Sequence, residues 1–99
     1  MLTFNDFNRV DTTQFVILEK SSYSLAIQSK RTGDCWYILD KQYKNVKSLS
    51  VFKALVYGSE YHHHCNSGSI PQALEVIKKA ERTEINDRER RFRMREAAV

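Results

Sequence analysis

The sequence predicts an α+β fold: a three-stranded antiparallel β-meander packed with two helices, the C-terminal one long and Arg-rich. Three observations carry that expectation. Residues 14 to 41 hold three short apolar or alternating runs separated by turn residues; residues 46 to 57 repeat apolar side chains at helical spacing; and residues 69 onward open with a helix cap and an apolar stripe.

The first ten residues place Phe4, Phe7 and Val10 three apart after Thr3, a capping residue type. One short helical turn against the core fits that pattern. Residues 14 to 20, QFVILEK, form a β-branched and aromatic run that reads as a strand buried on both faces. Residues 22 to 30, SYSLAIQSK, alternate, with Tyr23, Leu25 and Ile27 on one face and Ser24, Ala26 and Gln28 on the other. The brief break at Lys20, Ser21 and Ser22 suits a tight hairpin. After the turn signal Arg31, Thr32, Gly33, Asp34 comes CWYILDK, with Trp36 and Ile38 on one face and Tyr37 and Leu39 on the other.

In residues 46 to 57, Val46, Leu49, Phe52 and Val56 recur at helical spacing, and Gly58 stands where a helix C′ residue belongs. A helix is predicted, with a fourth strand as the competing reading because of the β-branched content. The last segment is expected to be a helix from Ser69, whose pairing with Gln72 makes a capping box, with Pro71 in the first turn. Ile70, Leu74 and Ile77 form its stripe beside Ala73 and Ala80, and beyond Glu81 the stripe thins to Ile85 and Phe92. The chain therefore divides into a compact α+β domain over residues 1–80 and a charged helical extension over 81–99.

With 99 residues, 41% of them hydrophobic, there is material for one modest core and little for a deep walled cavity. The formal charge of +4 is mildly basic. Two cysteines, Cys35 and Cys65, are too few for a disulfide scaffold. The opening residues show no leader pattern, and no run is long enough to span a membrane, so a reducing cytoplasmic setting is expected.

Residues 60 to 68, EYHHHCNSG, raise the question of a metal site. A zinc site needs ligands converging at about 2.0 to 2.3 Å. In an extended segment His62 and His64 face one side and His63 and Cys65 the other, so Cys35 would have to complete any cluster. Neither C-x-x-C nor H-x-x-x-H spacing is present. A polar loop between two helices is the simpler expectation, with Cys35, His62, His64 and Cys65 the residues any metal would need. Nucleophilic catalysis by Cys65 fares no better, because it directly follows His64 and sequence neighbours point apart. No phosphate loop or cofactor motif appears, so neither an enzyme nor a cofactor is expected.

Residues 88 to 95, RERRFRMR, hold five arginines and one glutamate. Arginine favours bidentate contacts to phosphate or carboxylate. Phe92 and Met94 among Arg88, Arg90, Arg91, Arg93 and Arg95 suit a partner surface. Upstream, pairs such as Glu84 with Arg88 and Asp87 with Arg91 are spaced to support a solvated helix. Lys30 and Arg31 at the second hairpin, with Lys20, Lys41 and Lys44, offer a secondary basic surface. Tyr23, Trp36 and Tyr37 are either core or stacking platforms for bases, the core being favoured.

These features point to a small non-enzymatic regulator, adaptor or inhibitor, of the kind phages and mobile elements encode. It would act by contact with a larger protein complex, such as host nucleic-acid machinery, through the arginine-rich helix. The alternative is a module that binds DNA or RNA directly with the same arginines and the basic face of the sheet.

Overall fold

In the computed structural model, residues 1–41, 48–55 and 60–97 are described, with the side chains of 88–97 outside that description. The element order is α1 (Phe4–Asn8), β1 (Phe15–Lys20), β2 (Ser24–Ser29), β3 (Cys35–Asp40), β4 (Leu49–Ala54), β5 (His62–Ser67) and α2 (Ile70–Ala97). The strands form one five-stranded antiparallel sheet in the order β1-β2-β3-β4-β5. The predicted three-stranded meander with a helix over 46–57 is therefore overturned: the sheet continues through two further strands.

The physical reason for the error lies in β4. Leu49 and Val51 face the helix-covered side, while Ser50 and Ala54, which alternate with them, are buried too. An interior strand buried on both faces shows no clean apolar–polar alternation, so its apolar residues fall into helical spacing by chance. Val46, Val56, Gly58 and Lys44 lie outside the described residues. β5 was missed for the opposite reason. Its sequence, HHHCNS, has little intrinsic strand preference, and pairing with β4 forms it.

The other elements follow their local signals. Thr3 caps α1 in a full capping box with Asp6. Ser21 closes the β1–β2 turn, its Oγ accepting from the backbone N–H of Tyr23 and Ser24. Gly33, with φ +78°, supplies the left-handed residue of the β2–β3 turn, where its N–H donates to the Ser29 carbonyl. β1 departs from expectation: Phe15 is buried but Val16 is exposed. The strand forms the sheet edge, and a bulge between Ile17 and Glu19 interrupts its register with β2.

The core lies on one face of the sheet. Leu25, Ile27, Trp36, Ile38, Leu49 and Val51 form one buried cluster with Ile70, Ala73, Leu74 and Ile77 of α2, and Leu2, Val10 and Phe15 belong to it. Ser69 caps α2 by accepting from the Gln72 N–H, and the Gln72 side chain accepts in turn from the Gly68 N–H. Helical periodicity puts 70, 73, 74, 77 and 81 on one stripe, and these are the buried positions. Arg82 and Thr83 are exposed and Ile85 is half-buried, so packing fades as the helix continues to Ala97. A helix of 28 residues is about 42 Å long at 1.5 Å per residue, and the molecule measures 57 × 25 × 23 Å.

Candidate functional site

The junction where α2 leaves the sheet is built from polar groups. Lys53 occupies a helix-facing position of β4, opposite Trp36 in register. Its Nζ lies 3.1 Å from Glu84 Oε2, 3.4 Å from Asp34 Oδ2 and 5.5 Å from the Trp36 ring centroid. Burial alone would lower the lysine pKa, but the hydrogen bond to Glu84 and the charges of Asp34 and Glu84 raise it, so the ammonium is firmly held. Trp36 is fully buried, and its Nε1–H donates to Glu81 Oε1 at 3.2 Å. The His64 ring meets Trp36 edge-on, with centroids 5.2 Å apart. Burial, then the charges of Lys53 and His63, push the His64 pKa down and favour the neutral ring. Beside it, His64, Val76, Lys79, Ala80 and Thr83 line a shallow, open groove of about 390 Å³.

Arg88, Arg90, Arg91, Phe92, Arg93, Met94 and Arg95 all lie in α2 beyond this junction, on continuous helical backbone. Lys30 and Arg31 are committed to local structure. Lys30 Nζ donates to the Thr12 carbonyl at 2.9 Å, and Arg31 Nη2 to Gln14 Oε1 at 2.9 Å. They tie the β2–β3 turn to the segment before β1 while remaining exposed.

The histidine segment is a strand, not a loop between helices, and a bulge breaks the alternation expected of it. His63 pairs with Phe52 and Cys65 with Val51, leaving His64 as the extra residue. Cys65 thereby joins the core side. Cys35 belongs to the other face, in register with Gln28 and Ala54. The sheet thus separates the two thiols, and Cys35, His62, His64 and Cys65 do not converge. Among the described residues no group of three or more His, Cys, Asp or Glu is placed to hold a metal ion. Both thiols are free, and burial raises the pKa of each, against nucleophilic use.

The face away from α2 carries a row of rings that the sequence reading largely missed. Tyr37 lies 5.6 Å from Tyr61 and 6.2 Å from Phe52, and Phe52 lies 5.4 Å from His63. Tyr37, Phe52 and Tyr61 are half-buried. The Tyr61 hydroxyl is buried without a hydrogen-bond partner, and burial raises its pKa. Of the aromatics first considered for stacking, Trp36 belongs wholly to the core, Tyr23 is exposed, and Tyr37 joins this row. The junction was missed as well, although Glu81 falls on the stripe four residues after Ile77, a position that flags a buried carboxylate.

Among the described residues no helix is long and apolar enough to cross a membrane. Set beside known protein families, curated proteins and solved structures, the chain matches none of them.

Proposed function

We propose that this is a small non-enzymatic binding protein that presents the arginine-rich part of α2 to a larger protein complex, such as host nucleic-acid machinery. One observation carries the reading. The polar junction of Lys53, Asp34, Glu84, Glu81 and Trp36 fixes α2 to the sheet, and the same helix runs on to Ala97 past the last buried position. The five arginines of residues 88 to 95 follow directly after that anchor. A helix carried on a folded base loses less conformational freedom on binding than a free peptide of the same sequence. Arginines on it would pair with carboxylates or phosphate-like groups of an acidic groove, with Phe92 as the apolar anchor.

The second reading, direct DNA or RNA binding, draws on the ring row of Tyr37, Phe52, Tyr61 and His63, since bases stack on half-exposed aromatics. Capture of partners on the immobilised protein, with and without nuclease and at rising salt, separates the two. A protein partner that survives nuclease supports the first. Captured nucleic acid that nuclease removes, with affinity falling steeply in salt, supports the second.

A further inference from the structure

Glu81 is 1% exposed and occupies a stripe position where an apolar side chain would ordinarily sit. Its Oε1 accepts from Trp36 Nε1–H, while its Oε2 is buried without a hydrogen-bond partner. The groups facing it are Ser29 from β2, Arg31 and Asp34 from the β2–β3 turn, and Trp36 from β3. Lys53 of β4 lies against the same tryptophan but is engaged by Asp34 and Glu84. No ion pair to Glu81 forms among the described residues. An ionised carboxylate there leaves one oxygen charged, dry and unpaired, whereas a proton on that oxygen removes most of the penalty.

We infer that Glu81 is a proton-operated latch at the base of the arginine-bearing helix. Neutral, it lets α2 lie against Trp36; ionised, it favours lifting of the helix from residue 81 outward, which changes how the following arginines are presented. The geometry places the latch where it can act locally. The fully packed residues Ile70, Ala73 and Ile77 lie on its inner side, and the exposed Arg82 and Thr83 immediately on its outer side. Local opening there gives up few apolar contacts, the Lys53–Glu84 ion pair being the main contact it must break. The inference is independent of what the arginines bind.

The sign follows from the balance at the carboxyl. Burial raises the Glu81 pKa; the Trp36 hydrogen bond, the nearby Ser29 hydroxyl and the Arg31 charge oppose the rise, and Asp34 adds to it, leaving the value above the ordinary 4.5. Packing of this turn is therefore strongest at and below the ordinary carboxylate range, and weakens as pH rises toward the raised value. Asp34 and Glu84 share the junction through their contacts with Lys53, so the wild-type profile alone does not single out Glu81. Glu81→Gln isolates the latch, because a neutral amide keeps an oxygen for Trp36 and cannot ionise.

The experiment is amide hydrogen exchange of residues 78–87 in the wild type and in Glu81→Gln, corrected for intrinsic rates, between about pH 5 and pH 8. The latch predicts that wild-type protection falls relative to the variant across that range, by about tenfold for each unit by which burial raises the carboxyl. Parallel profiles in the two proteins would overturn it. A carboxyl-carbon NMR titration of Glu81 in the wild type gives a second arm that needs no variant. A midpoint above 4.5 supports the latch, and one at or below that value removes it.

Discussion

Lys53 shows how one residue can hide a strand and build a site. It stands at a helix-facing position of β4 with its side chain 28% exposed, and its charge is met by Asp34, Glu84 and the face of Trp36. Removing it strands Asp34, whose side chain is 6% exposed. Lys53→Met should therefore lower stability by about 2 kcal/mol in denaturant unfolding, and adding Asp34→Asn should recover part of the loss. Simple loss of packing would make the two substitutions additive instead. Gly33 tests the turn in the same way. Nothing lies within 4 Å of a Cβ built there, so Gly33→Ala meets only the strain of φ +78°, about 1 kcal/mol. Gly33→Asn, which tolerates that region better, should cost less.

At the scale of elements, the legible parts of the fold were those whose signals are local. α1, β1, β2, β3 and the start of α2 each carry their own cap, turn or period, and each forms within a residue or two of its expected bounds. β4 and β5 depend on partners distant in sequence. Val51 faces Ile38 on one side and Cys65 on the other, and neither neighbour can be read from VKSLSVFKALVY alone. The arginine run was legible as charge; the junction beneath it was not, because Asp34, Lys53 and Glu81 meet only once the sheet is assembled. α2 itself is divided by its packing. Ile77→Ala should cost about 3 kcal/mol in thermal or denaturant unfolding, since Ile77 is fully buried against the sheet. The half-buried Ile85 marks where packing fades, and Ile85→Ala should cost less than about 1 kcal/mol. Equal losses at the two positions would mean that the packed interface extends past the junction.

As a whole, the molecule is a sheet-based body carrying one long helix, with apolar residues gathered at the helix start and arginines beyond. Residues 88 to 95 carry five arginines and one glutamate, a local +4 equal to the net charge of the entire chain. The base is balanced overall, and its exposed Lys30 and Arg31 are occupied in holding a turn. Charge reversal on the extension should thus leave folding intact, while changes in the junction act on both folding and presentation. The most direct measurement compares the wild type with an Arg91→Glu, Arg93→Glu double variant in capture from nuclease-treated host lysate, after circular dichroism has shown that both melt alike. A defined protein partner held by the wild type should be lost from the variant. Retention of the same partner by both proteins would contradict this, because the arginine-rich helix would then have no part in the contact.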